Sequence, residues 1–163
     1  PVAPLPREVE TERYRFQVHE APGHCEDQVV LHEPDQGWLF SGDAFLAERV
    51  KYFRGDEDFA QTLSSLRRLV ELEFDTLFCA HRPRATGGRE ALRQKLQHLS
   101  DIEGRVRDLH AQGLSVRQIT RRVLGSEPRF LYAFSMGDVS KRNLVRSILY
   151  GPRRRPDVVA ALG

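Results

Sequence analysis

"APGHCEDQVVLHEPDQGWLFSGDAFL", residues 21–46, decides how this chain reads. It opens on Pro22–Gly23, a turn placed directly after a segment of strand character. Proline holds φ and glycine accepts conformations other residues avoid, so the backbone bends sharply there and His24 is presented from a strand end. "QVVLHE" (Gln28 to Glu33) is strand-like. "PDQG" (Pro34 to Gly37) is a turn by composition, so it is expected to join two strands in a hairpin. "WLFSG" is the second of these, largely apolar. Asp43 lies one residue beyond the glycine that ends it.

Working outward, "YRFQVHE" (Tyr14 to Glu20) alternates apolar with polar residues and predicts a strand ahead of the turn. "PVAPLPRE" (residues 1–8) holds three prolines and reads as an extended lead-in. Downstream, Phe59, Leu63, Leu66 and Val70 recur at helical spacing, with Asp56, Glu57 and Asp58 at the start, where the helix dipole favours acids. "DTLFCAH" is a short apolar run, a further strand that ends at His81. From Arg89 on, Leu92, Leu96, Leu99, Val106 and Leu109 form one helical stripe, ended by Gly113. Ser115 is expected to cap "VRQITRRVLG". "SEPRFLYAFSMGD" reads as irregular or briefly extended. "SKRNLVRSILYG" is a last amphipathic helix, capped by Asp138 or Ser140 and stopped by Gly151–Pro152. Strands interrupted by a helix and followed by helices predict an α/β (α+β) chain: a mixed sheet with helices on at least one face, then a small helical subdomain.

The chain has 163 residues, enough for a real core. No apolar run approaches the roughly 20 residues that span a bilayer, and no signal-peptide h-region is visible. Two cysteines, Cys25 and Cys79, stand in no paired pattern, which points to free thiols and a cytoplasmic location. Charge is unevenly spread: residues 1–81 carry 8 Lys+Arg against 16 Asp+Glu, and residues 82–163 carry 17 against 7. That asymmetry hints at an anionic partner for the later half, although attraction between the halves explains it as well.

Three strand ends thus each offer one side chain able to bind a metal: His24, Asp43 and His81. Imidazole nitrogen and carboxylate oxygen suit zinc, iron or manganese. Any one of them alone would read as a surface histidine or a turn aspartate; the repeated placement carries the argument. His-Glu-x-x-x-His at residues 19–24 is not the helical zinc-protease motif, because its spacing differs and Pro22–Gly23 forbid a helix.

With these residues in place, the stretch resembles the second half of a metallo-β-lactamase-fold hydrolase. That family carries a Pro-Gly-His turn, a Gly-Asp pair after an apolar strand, and a histidine after another strand. His24, Asp43 and His81 stand in that order, at intervals of 19 and 38 residues. The resemblance covers roughly residues 12–100 and implies half of an αββα sandwich, with residues 1–100 as the C-terminal half of the domain. Residues 101–151 resemble the winged-helix-like extension of some members, with 152–163 as a tail. It further implies that His24 completes the first metal's histidine set, that Asp43 bridges two zinc ions and serves catalysis, and that His81 binds the second. A hydroxide held by the metals would attack an ester, thioester, lactone or phosphodiester of a small-molecule substrate.

The sequence also departs from the family. Its His-x-His-x-Asp-His motif occurs nowhere in these residues, so four expected ligands are missing. The chain is therefore expected to be the C-terminal half of a longer hydrolase or a half-fold relative, to hold at most one zinc weakly, and to be inactive or nearly so alone. An uncovered half would expose apolar sheet surface, which predicts a homo-oligomer or a missing N-terminal segment. "AHRPRA" puts Arg82 and Arg84 beside the last ligand, where they crowd a cation or hold an anionic substrate. Glu26 and Asp27 flank His24 and are candidates to orient it, and His19 is a candidate for support behind the ligands. His32 is expected to face solvent, and Cys79 to lie in the core. A competing function is a non-enzymatic nucleic-acid or protein-binding module in which Arg117, Arg121, Arg122, Lys141, Arg142 and Arg146 meet phosphates. The plainer reading of those helices is packing. No membrane role is expected.

Overall fold

The computed structural model describes residues 6–153 apart from residue 80. In chain order the strands are β1 (Glu8–Glu10), β2 (Arg15–Glu20), β3 (Val29–Glu33), β4 (Trp38–Phe40), β5 (Phe53–Arg54), β6 (Thr76–Phe78) and β7 (Val139–Ser140). The helices are α1 (Phe59–Leu69), α2 (Gly88–Ala111), α3 (Val116–Leu124), α4 (Arg129–Phe134) and α5 (Lys141–Tyr150), with a 3-10 turn at Gly42–Ala44. The chain forms two compact units, one from the residues up to Val50 with Gln61–Ser100, the other from Lys51–Ala60 with the residues from Asp101 on. Lys51–Ala60, counted above with the first region, belongs to the second unit.

The first unit is built on a mixed five-stranded sheet in the order β1-β2-β3-β4-β6. The first four strands pair antiparallel, and β4 pairs with β6 in parallel. The expected β3–β4 hairpin forms at Pro34–Gly37: Gly37 N–H donates to the Pro34 carbonyl at 3.2 Å, and Gln36 N–H to the Glu33 carboxylate at 2.6 Å. β1, read above as lead-in, is an edge strand instead, joined to β2 through Thr11, whose hydroxyl accepts from Tyr14 N–H. Residues 1–5 of that lead-in lie outside the described residues.

One face of this sheet carries the unit's core. Val30, Leu39 and Leu77 are fully buried there, and Leu63, Leu66 and Leu69 of α1 and Ala91, Leu92 and Leu99 of α2 complete it. Gly88 shows how close the helix comes: a Cβ there would lie 2.6 Å from Leu77 Cβ. His32 corrects the sequence reading. It is buried, and its Nε2 lies 2.9 Å from the Glu73 carbonyl, just after α1. That carbonyl lies in the irregular segment between α1 and β6, where no ladder supplies a donor, and a strand residue provides one.

In the second unit β5 and β7 pair antiparallel beside α3, α4 and α5. Its core holds Phe53, Phe59, Ile102, Val106, Ile119, Leu144, Val145 and Ile148. Ser140 caps α5 by accepting from Asn143 N–H, and Ser115 N–H donates to Gln118 at the start of α3. Residues 129–134, expected to be irregular, form α4, with Phe130 and Phe134 stacked and exposed. Lys141 is another correction. It is buried, and its Nζ donates to the carbonyls of Leu124 and Ser126 at 2.8 Å each, which satisfies the end of α3 rather than a phosphate. The tail expected from residue 154 on lies outside the described residues. Among the described residues no helix is long and apolar enough to cross a membrane.

Candidate metal centre

β4 and β6 run in parallel with Phe40 opposite Phe78. Asp43 and His81 therefore each follow the same paired position by three residues. Ser41 ties the two strand ends together: its N–H donates to the Phe78 carbonyl at 2.9 Å, and its hydroxyl to the same oxygen at 3.3 Å. The Gly42–Ala44 turn then lifts Asp43 off the sheet. Because β3 runs antiparallel to β4, the loop that enters β3 lies at this same end, and it carries His24.

That loop is fixed tightly. Ala21 N–H donates to the Gln28 carbonyl across its base at 2.8 Å. Ser65 Oγ, on α1, donates to the Pro22 carbonyl at 2.8 Å. Gly23 has φ of 142° and sits against Thr62, where a Cβ would come within 2.4 Å of the hydroxyl. Only glycine fits, in conformation and in space.

The three strand-end residues meet. His24 Nε2 lies 3.6 Å from Asp43 Oδ2, and His81 Nδ1 lies 3.7 Å from Asp43 Oδ1. Each carboxylate oxygen thus faces a different imidazole. Side-chain exposure is 19% for His24, 44% for Asp43 and 54% for His81, so the cluster is open to solutes. Among the described residues no group of three or more His, Cys, Asp and Glu side chains is arranged tightly enough to hold a metal ion. The pairwise approaches are real, but they do not amount to a closed shell.

Residues 7–81 match the family model described as the metallo-beta-lactamase superfamily. Over those residues, just under half of its length, the chain is similar to members of that superfamily. A Drosophila melanogaster protein, Beta-lactamase-like protein 2 homolog, is 35% identical over 75 residues, 46% of this chain and 24% of that protein. A metallo-beta-lactamase family protein of Thermus thermophilus superposes with a TM-score of 0.58 at 19% identity, over 91% of this chain and 48% of its own. A beta-lactamase domain protein of Burkholderia ambifaria gives 0.65 at 18% identity, over 88% and 44%. Those two likenesses show the fold. This chain spans under half of each structure and about a quarter of the fly protein.

Other members of the predicted set fall elsewhere. His19 sits on β2, 5.9 Å from the His32 ring centre to centre, with its Nε2 buried and unpartnered. Its pKa is lowered, first by burial and then by the charge of His32. Glu26 and Asp27 are exposed. Cys25 is exposed as well, and Cys79, expected in the core, is half-buried at the end of β6, where its sulfur accepts from Arg82 N–H at 3.2 Å.

Two features of this site escaped the sequence reading. Lys95, buried on α2, donates from Nζ to the Ala44 carbonyl at 2.7 Å and so supports the turn that carries Asp43. The available signal was a lysine lying between Leu92 and Leu99 on an apolar stripe. Glu48 pairs with Arg84, and its carboxylate lies 4.0 Å from Arg82. Its pKa is held below the usual carboxylate range, first by a hydrogen bond from its own backbone and then by Arg84 and Arg82, against the opposing effect of burial.

Proposed function

We propose that the first unit carries part of the metal-binding face of a metal-dependent hydrolase acting on an ester, thioester, lactone or phosphodiester. What supports this reading is the approach of two imidazoles to opposite oxygens of one aspartate. At 3.6 and 3.7 Å the pairs are longer than hydrogen bonds, so the three side chains are not closed on one another. Two nitrogens and a carboxylate are a donor set of the kind zinc accepts, and they fall short of the four ligands of a complete tetrahedral site. They fit zinc in kind and only partly in number. His24, Asp43 and His81 would hold it, with Asp43 shared between the imidazoles.

A bound divalent ion supplies a Lewis acid that polarises a carbonyl or phosphoryl oxygen and acidifies water. This chain's own part is to orient the donors. The Pro22–Gly23 turn sets His24, and Lys95 and Ser41 fix the segment around Asp43. In this proposal the chain alone takes up at most one zinc weakly and is inactive or nearly so. The reduced thiols of Cys25 and Cys79 support a cytoplasmic setting.

Equilibrium dialysis against zinc tests the reading. Wild type is expected to bind no more than one equivalent per chain, and Asp43→Ala to weaken uptake at least tenfold. Two tightly bound equivalents, or unchanged uptake in Asp43→Ala, would refute it.

A further inference from the structure

Beside the candidate centre lies a groove of about 470 Å³ lined by Ala47, Glu48, Arg49, Arg82, Arg84 and Gln94. Both walls are anchored. The Ala44–Val50 loop is held at each end by α2: Lys95 Nζ donates to the Ala44 carbonyl, and His98 Nε2 lies 3.1 Å from the Val50 carbonyl. The opposite wall is pinned at Arg84, whose backbone N–H and carbonyl pair with Leu77 at 2.8 Å each way.

The charges in this groove do not balance. The groove holds three guanidiniums and one carboxylate, Glu48, which is already engaged by Arg84. Arg82 reaches Glu48 only at 4.0 Å and is 65% exposed. Arg49 is exposed and in no ion pair among the described residues. Arg84 Nε is buried without a hydrogen-bond partner, so that guanidinium keeps donor capacity the protein does not fill. Like charges gathered on fixed walls repel one another, and an oxyanion relieves that cost while meeting the planar donor fork of arginine. Arg82 follows His81 directly, so an anion held here lies close to the proposed reacting centre.

We infer that this groove is an oxyanion subsite, in which Arg49 and Arg82 bind a carboxylate or phosphate group of the substrate and Arg84, fixed by Glu48, completes the cationic wall. The inference rests on the hydrolase reading only in placing the anion on a substrate; the subsite binds an anion whether or not a metal is present.

The test uses the full chain, titrated separately with inorganic phosphate and with succinate and followed by NMR of backbone amides and arginine Nε–H groups. Saturable shifts at Arg49, Arg82 and Glu48 are expected, and the tighter ligand of the two names the group. Arg49→Glu with Arg82→Glu should weaken that binding at least tenfold while zinc uptake is kept or strengthened. Asp43→Ala should lose zinc and keep the anion. No saturation in wild type, or equal binding after the double charge reversal, overturns the subsite. Zinc uptake that survives Asp43→Ala, with anion binding still lost in the arginine variant, refutes the metal centre and leaves the subsite standing.

Discussion

On one face of the five-stranded sheet Val30, Leu39 and Leu77 are closed off from water; on the other, alternate residues of the same strands form a ladder of rings that is only half-buried. Tyr14 lies 5.2 Å from Trp38, Phe16 5.7 Å from Phe40, and Phe40 stacks on Phe78 at 4.5 Å. Phe78 remains 36% exposed. A strand places successive side chains on opposite faces, so a single register produces both surfaces. The aliphatic face is covered by helices of its own unit, whereas the aromatic face is covered chiefly by its own rings. The sheet therefore draws most of its stability from one side and leaves the other partly open to water.

The sharpest way to break this comparison is to truncate one neighbour on each face. Leu39→Ala is expected to cost about 2–5 kcal/mol, the range for deleting a fully buried leucine. Phe40→Ala should cost clearly less, because its ring already meets water. Urea denaturation of the two variants checks this, and equal losses would mean that the aromatic face is as closed as the other. A second test asks what the open face does. The sequence leads to the expectation that either a second copy of this chain or a missing N-terminal segment covers exposed sheet surface, and we propose the second copy, meeting this face. Light scattering should show mass rising with concentration in wild type and falling back to the monomer in Phe40→Glu. A wild-type monomer at all concentrations would refute it.

The smallest expected effect probes a flaw in the covered face. His19 and His32 lie on it, opposite Val30 and Gln17 in the register. The lowered pKa of His19 means that the unfolded chain takes up a proton first as pH falls. Stability should therefore be intact above about pH 6.5, decline below it, and level off once pH is under the lowered value. Glu8, Glu20, Arg7 and Arg68, which line the groove beside His19, modulate the slope. His19→Gln should flatten the decline measured by urea midpoint against pH; an unchanged curve would assign it to other groups.

How much of this was legible beforehand follows the range of the interactions. The β3–β4 hairpin and the three strand-end residues rest on local signals: a turn of fixed composition, and short apolar runs that stop just before His24, Asp43 and His81, two of them at a glycine. Their approach to one another was readable because each candidate follows its strand by only a few residues. What stayed hidden depends on partners distant in sequence. His32 looked like a solvent-facing strand residue because its acceptor, Glu73, is 41 residues away. Lys141 looked like a phosphate contact because the end of α3 that it caps is 17 residues upstream. β1 was missed because an edge strand of three residues carries too little alternation to register, and α4 because six residues make too few turns to display a period.

The parallel pairing of β4 with β6 has one more implication, for which changes of length the gene can accept. Asp43 and His81 each stand three residues beyond paired phenylalanines, and Ser41 latches the two strand ends at one carbonyl. The connection between those strands, by contrast, runs out through a separate unit and back. Changes of length in that connection act on its own packing, through α1 and the anchored Ala44–Val50 loop, and leave the count of either step as it is. A single insertion between Phe40 and Asp43, or between Phe78 and His81, would rotate one side chain away from the other, so these two three-residue steps work as matched rulers that must be kept in register.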